Sequence, residues 1–495
     1  MKKIILIIII IALTLTVFVS ADNGADMKKK YGFHVEENGD ITLNGEAFYG
    51  FGVNYFGAFA RYVESESQST KEYEAGLAGL ASYNIPFIRM PLCSYYPSYY
   101  ELFDRDPDRV FSYLDKVLDE CVKNKIGVIG SLMWWDAVVP CHVGEKRSDI
   151  GVTGSKTLEY AKSYTRAIVE RYKDHPAIWG WEIGNEYNLD ADLCDKEFKI
   201  WLWPEGISGM PLENINGYDY FTSEELQTFY TEIAKVIREY DGYRMITTGN
   251  GEMRPFAYAI FKSSQKKTKN HTWEMRWDGN TKKQFEQMNE YFTPDPIDTL
   301  CFHLQHGTSD GSNQYVTEFS MFGQTLTSEE YFRAYYDTAK KLGKACYFGE
   351  FGDMLDMEKA PDVIEKFREI TDAISASGIQ IASLWQFQDY TNEGVAGEKL
   401  EVLSELNKQL KADGKQNTDK AWNDKETETE QITETETETE TEVETVKQTE
   451  EITTDVQTQN GEKTKVLIPV ILGVAAGVAG LAAVVTIIAL KKRKK

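Results

Sequence analysis

Two hydrophobic periods alternate along residues 31 to 412. Short apolar runs that read as strands fall near 47–54, 86–91, 126–133, 177–183, 244–249, 298–303, 345–350 and 379–385. Between them lie stretches with apolar residues at helical spacing. In one of these Val110, Leu114, Val117, Leu118, Cys121 and Val122 recur with Asp and Lys between them. Others begin near Thr70, Thr157, Ser223, Thr281, Ser328, Pro361 and Gly397. Ahead of them "FHVEENGDITLNGE" carries the turn residues of a hairpin. Eight strand–helix units in alternation predict an α/β fold closed as a (β/α)8 TIM barrel. A doubly wound open sheet is the competing reading, but it would normally carry a Gly-rich phosphate-binding turn after an early strand, and none is present.

The pattern changes at both ends. Residues 1–21 are a charged "MKK", an apolar run and small residues before Asp22, the arrangement of a secretory signal peptide. Residues 466–490 contain 25 uncharged residues followed by "KKRKK" at 491–495. A helix of that length, at about 1.5 Å per residue, exceeds the roughly 30 Å hydrocarbon core. The expectation is a single-pass anchor with a cytoplasmic basic tail and everything before it outside the cell. Within the run, Gly473 and Gly477 form a GxxxG pair, a weak dimerisation signal. Between barrel and anchor, residues 413–465 include "ETETEQITETETETETE", where nothing apolar can be buried and like charges repel. This reads as a disordered, extended stalk.

Composition narrows the partners. From Asp424 to Lys465 the chain has 14 acidic and 4 basic residues, which carry −10 of its −24 net charge. The remainder leaves the 22–412 domain acidic as well, so nucleic acid is excluded for want of a basic footprint. Six cysteines in an exported chain permit disulfides. Cys121, Cys301 and Cys346 sit in apolar patterns, and Cys141 with Cys194 is the pair that falls in loops. Asn270 opens the sequon Asn270-His271-Thr272.

In a TIM barrel chemistry belongs at the C-terminal ends of the strands. There the sequence places Asn54, Arg89, Trp134, Trp135, Asp136, Asn185, Glu186, His303, His306, Glu350 and Trp385. Two glutamates on strands four and seven can meet across the mouth. Glycoside cleavage needs such a pair: one carboxyl protonates the leaving oxygen and the other attacks the anomeric carbon or activates water. An acidic chain has many surface carboxylates, yet each of these two follows an apolar run. His303 and His306, three apart, point to opposite faces of a strand, which argues against a shared metal. No metal and no cofactor are expected. Trp179 and Trp181 read as core, whereas Trp201, Trp203, Trp273 and Trp277 lie in long loops where they could stack on pyranose rings or simply pack.

"WGWEIGNEYN" and "YFGEFGD" resemble the acid/base and nucleophile strands of the clan A glycoside hydrolases. With "GVNYF", "IRMPL", "CFHLQH" and "SLWQF" in order, the chain is similar to glycoside hydrolase family 5, the cellulase and mannanase family, over most of 31 to 390. The resemblance implies Glu186 as acid/base, Glu350 as nucleophile, and Arg89 bonded to Glu350. It implies that Asn185 contacts the sugar, that His303 lines the site and that Trp385 is the sugar platform, with retention of configuration; Arg89, Asn54, Trp134 and Trp135, at neighbouring strand ends, are expected to bind substrate with them. Two departures bear on substrate. The Tyr that often stands two residues after the sixth-strand His is Gln305 here, and strand three reads "WWDA", closer to mannanases than to many cellulases. A β-linked mannan or glucan is the expected partner. A β-galactosidase, an exo-acting mannosidase and a non-catalytic glycan-binding adhesin remain as alternatives.

Overall fold

The computed structural model describes residues 31–64, 72–194, 220–266, 273–305, 317–352, 362–387, 395–422, 452–457 and 463–468. The expected signal peptide, Trp201, Trp203, the Asn270 sequon and His306 lie outside these residues.

Eight parallel strands close on themselves: β1 (Gly50–Asn54), β2 (Phe87–Pro91), β3 (Gly127–Ser131), β4 (Ile178–Glu182), β5 (Met245–Thr247), β6 (Thr299–Gln305), β7 (Ala345–Gly352) and β8 (Ile381–Trp385). The outer helices that follow each strand are α1 (Glu72–Ser82), α2 (Pro107–Lys123), α3 (Lys156–Tyr172), α4 (Ser223–Tyr240), α5 (Lys282–Tyr291), α6 (Ser328–Lys341), α7 (Val363–Ser377) and α8 (Val395–Ala412). Three of them start with Thr-x-x-Glu/Gln capping boxes, at Thr222, Thr281 and Thr327, each satisfying backbone N–H groups that the first turn would leave unbonded. The helices and the outer strand faces share one apolar layer.

The barrel interior is a second layer. Phe87, Ile129, Trp179, Met245, Cys301, Tyr347 and Ile381 fill it, one from each of seven strands. The N-terminal hairpin, Phe33–Val35 with Ile41–Leu43, adds Phe33, whose ring lies 5.0 to 5.6 Å from Phe48, Trp179 and Phe87. Trp179 needs room that Gly127 provides: a Cβ there would lie 2.0 Å from the indole. Trp181 is buried in the outer layer, its indole N–H donating to Asp241 at 2.8 Å.

The inner face changes character as it rises. Because side chains alternate along a strand, the residue two beyond an interior one faces inward again. Phe87 is thus followed by Arg89, Met245 by Thr247, Cys301 by His303, and Ile381 by Ser383. An apolar floor therefore carries a polar ring, itself almost wholly buried.

The barrel domain does not stop at 412. Residues 413–422 return beneath it: Lys415 O accepts from Tyr49 N at 2.9 Å, and Gln416 Nε2 donates to Asn407 Oδ1 and Tyr49 O at 3.1 Å. A short helix, Asp419–Trp422, then buries Ala421 and stacks Trp422 on Trp179 at 5.6 Å. The compact unit reaches Asp424, because these few apolar residues close the floor of the barrel. Ile452–Gln457 of the expected stalk pairs antiparallel with Lys463–Ile468, a hairpin that reaches three residues into the expected span, so paired strands stand where disorder was expected, with Ile, Thr and Val as strand formers. Among the described residues no helix is long and apolar enough to cross a membrane, and the expected span lies outside them after Ile468.

Candidate active site

Glu186 follows β4 by four residues and has left-handed backbone angles, φ 58° and ψ 23°. Such a conformation costs a non-glycine residue about 1 kcal/mol or more and persists only where the surroundings enforce it. Here the neighbouring strand ends do so. Glu186 N donates to Gly249 O at 2.7 Å, Asn185 N to Trp134 O at 3.1 Å, and Leu189 N to Glu186 O at 2.9 Å. The turn swings the carboxyl over the barrel axis.

Glu350 arrives by a different device. In β7 the pairing with β6 slips between Phe348 and Glu350, so that Gly349 is an extra residue, a β-bulge. The slip sets Glu350 directly opposite His303. A Cβ on Gly349 would lie 2.5 Å from His303 Nε2 and 2.8 Å from Cys301 Sγ, so only glycine fits beneath the imidazole.

The two carboxyls and the imidazole meet. His303 Nδ1 lies 3.0 Å from Glu186 Oε1 and 3.5 Å from Glu350 Oε1, and an oxygen of each glutamate lies within 4.8 Å of the other. Three such donors could also gather a cation. Arg89, however, already places its positive charge 2.6 Å from Glu350 Oε1, which disfavours a second one there.

Burial sets the proton affinities. Glu186 keeps 33% of its side-chain surface open to the mouth, but its carboxyl sits deep in the protein. Desolvation pushes its pKa up to about 7, Arg89 opposing and Asp190 assisting. Desolvation also raises Glu350 above the ordinary carboxylate value, against the pull of the Arg89 charge. Buried His303 is pushed down to about 4, so the ring is neutral at neutral pH, and its Nε2 has no bonding partner.

Beneath lies the residue that joins the strands. Arg89 is fully buried on β2 and donates from Nε to both oxygens of Glu182 at 2.9 and 2.8 Å. Its NH1 donates to Asn54 Oδ1 at 2.9 Å and Glu350 Oε1 at 2.6 Å, and its NH2 to Asn185 Oδ1 at 2.7 Å. The Trp134 ring covers the guanidinium at 4.5 Å.

These bonds redistribute the roles expected from sequence. Glu186, Glu350, His303 and Asn185 converge, and Trp385 at the end of β8 and Trp135 beyond β3 are half-buried. Asn54, Arg89 and Trp134 lie one layer below, 0%, 0% and 1% exposed, where their contacts are with the groups above them. Asn54 fixes Arg89 and donates to Gly349 O at 2.9 Å, and Trp134 backs Trp385 at 6.4 Å with nearly parallel planes. Asp136 is likewise withdrawn, paired with buried Arg147. Trp273 packs with Tyr220 and Cys194, whereas Trp277 is 50% exposed. None of the six cysteines, all among the described residues, forms a disulfide; Cys194 Sγ instead faces Trp273 O at 3.0 Å.

Sequence reasoning gave no role to Glu182, Phe56 or Gly349. Glu182 had a signal, since a carboxylate inside an apolar strand needs a partner to be buried. Phe56 is wedged between Tyr95, Trp134 and Trp385 at 4.0, 5.0 and 5.9 Å, which fixes the platform from the β1 side.

The profile of the cellulase family, glycosyl hydrolase family 5, matches residues 44–390. Among solved structures, the endo-1,4-β-mannanase of Rhizomucor miehei has a TM-score of 0.50 at 14% identity, covering 76% of this chain and 99% of that one. The exo-β-1,4-mannosidase Op5Man5 from an Opitutaceae bacterium has a TM-score of 0.50 at 16% identity, covering 77% of this chain and 62% of that one. At these identities they establish the shared fold. A β-galactosidase of Heyndrickxia coagulans is 33% identical over 115 residues, which are 19% of this chain and 17% of that protein.

Proposed function

The chain belongs to glycosyl hydrolase family 5, and on that premise we propose that it cleaves a β-linked glycan, β-mannan first and β-glucan second, with retention of configuration. The observation that carries this reading is the placement of Glu186 and Glu350 within 4.8 Å of each other. Carboxyls about 5 Å apart suit attack by one of them on the sugar, whereas inversion needs about 6.5–9.5 Å for an intervening water.

Glu350 attacks the anomeric carbon as Glu186 gives its proton to the departing glycosidic oxygen, leaving a glycosyl ester on Glu350. Glu186, now a carboxylate, takes a proton from water, whose oxygen attacks from the face that the leaving oxygen vacated and displaces Glu350. Neutral His303 lies against both carboxyls, and Asn185, with Oδ1 held by Arg89, keeps its amide N–H groups to donate to a sugar hydroxyl. Trp385 offers its face to the ring at the cleavage point. The preference for mannan rests on Trp134-Trp135-Asp136 at the end of β3 and on the mannan-active enzymes that share the fold.

The experiment incubates residues 22–424, Glu186→Ala and Glu350→Ala with mannan, β-glucan, xylan and galactan, and counts reducing ends. Release by the wild type alone, with the initial product in the β-anomer by NMR, is expected on mannan. Release on galactan alone would transfer the reading to a β-galactosidase, and binding without release to an adhesin. We also propose display on the cell surface through the apolar run that ends at Leu490, supported by that run, its basic flank and the N-terminal signal pattern. Protease treatment of intact cells that removes the activity is the expected result.

A further inference from the structure

An arginine side chain donates from three nitrogens, and all three on Arg89 are hydrogen-bonded inside the protein. Nε serves Glu182, NH1 serves Asn54 and Glu350, and NH2 serves Asn185 and lies 2.8 Å from Glu182 Oε1 in the ion pair. The side chains of Arg89, Glu182 and Glu350 are 0%, 0% and 5% exposed. One buried cation thus holds two buried carboxylates, and the reaction consumes only one of them.

We propose that Glu182 is a positioning residue, the standing counter-ion of Arg89 that keeps this buried cation paired when Glu350 becomes a glycosyl ester. The inference rests on the two-carboxylate reading above. When Glu350 Oε forms its bond to the anomeric carbon, the glycosidic C–O bond breaks, Glu186 supplies the proton to the leaving oxygen, and the negative charge of Glu350 is lost to a neutral ester. With Glu350 as its sole counter-ion, Arg89 would then be an isolated buried cation, a strongly unfavourable state. Glu182 prevents this without moving, since it comes from β4 and never touches the sugar. It also divides the guanidinium between two acceptors in the free enzyme, so Glu350 is ionised without being held as tightly as a one-to-one pair would hold it.

The test is the pH dependence of kcat/KM for the wild type, Glu182→Gln and Glu182→Asp. The substrate is a 2,4-dinitrophenyl β-glycoside of the sugar that the reducing-end assay identifies. The groups facing Glu350 are Arg89 on β2, Glu182 and Glu186 on or after β4, His303 on β6 and Tyr347 on β7, and Glu182→Gln changes one of them. With Arg89 devoted to Glu350, the acidic limb in Glu182→Gln is expected to move down by about one pH unit or more. The plateau should fall roughly 100-fold, the glycosylation step now stranding a cation. Mass spectrometry with the matching 2-deoxy-2-fluoro glycoside should show slower labelling of Glu350. Glu182→Asp keeps the charge and should leave the limb near its wild-type position.

An active wild type with a limb unmoved in Glu182→Gln overturns this inference alone. An inactive wild type overturns the hydrolase reading and this inference with it. If Glu182→Gln does not fold, thermal unfolding of Arg89→Gln/Glu182→Gln decides: recovery of the fold supports the counter-ion role, and continued failure assigns Glu182 to the fold itself and overturns it.

Discussion

Glu186 must hold a proton at the pH where Glu350 has lost its own. Burial raises both carboxyls, and Arg89, bonded to Glu350 at 2.6 Å, makes the difference between them. Glu186 titrates at about 7, so its acid form, and with it cleavage, is present below that pH and is lost as pH rises through it. On the acid side, activity fails when Glu350 protonates, above the usual carboxylate range. The expected pH profile of kcat/KM is therefore a narrow bell with its alkaline limb near 7. Glu186→Gln should abolish that limb and lower kcat by ~10²–10⁴-fold on glycan, and by much less on a dinitrophenyl glycoside, whose leaving group needs no proton. A limb that survives in Glu186→Gln would assign it to another group. Much of this was legible in the sequence, since Asn185, Glu186, His303, Glu350 and Trp385 all end apolar runs. Depth was not. Asn54, Arg89 and Trp134 have the same residue types as a sugar-binding rim, and only the vertical position along the inner face tells a group that touches substrate from one that supports it.

At the scale of an element, the nucleophile depends on one inserted glycine. The Gly349 bulge turns Glu350 toward His303, and the missing side chain leaves space for the imidazole. Gly349→Ala should push His303 off Glu186 and Glu350. We expect a loss of about 1–3 kcal/mol in stability from overpacking, and a fall in kcat of about 10-fold or more with KM nearly unchanged, because the binding platform at Trp385 lies elsewhere. Thermal unfolding and steady-state kinetics on the same preparation measure both, and wild-type kcat in that variant would refute the steric argument. Strand seven was legible as an apolar run, but a bulge inside it was not, since "YFGEFGD" has the same composition with or without the slip. The hairpin Glu318–Met321 and Gln324–Thr327 ahead of α6 was missed for a related reason. Its turn, Phe322-Gly323, has positive φ at both positions, and Phe is rare where Asn or Asp usually stands.

For the whole molecule the lesson lies at the underside of the barrel. Hydrophobic periodicity ends at Ala412, and the composition after it is polar, so a domain boundary there followed from pattern alone. Yet Trp422 and Ala421 complete the layer that Phe33, Phe48 and Trp179 begin. Both ends of the domain thus converge on one floor, the N-terminal hairpin and the 419–422 helix covering the same indole. Two apolar residues among ten polar ones carry no period, and their role exists only once the strands have made the surface they cover. Ending the chain at 412 removes the Trp422 stack, buried Ala421 and the Gln416 bonds to Asn407 and Tyr49. Loss of that packing and those bonds should cost on the order of 3–5 kcal/mol. For a domain of this size the corresponding fall in Tm is about 5 °C. Comparing chains 22–412 and 22–424 by calorimetry checks it, with Trp422→Ala in the longer chain expected to fall between them. Because the floor lies opposite the mouth, kcat/KM at 25 °C should be the same in all three. Equal Tm values would return the boundary to 412, and unequal kcat/KM would mean that the floor holds the reactive rim in shape.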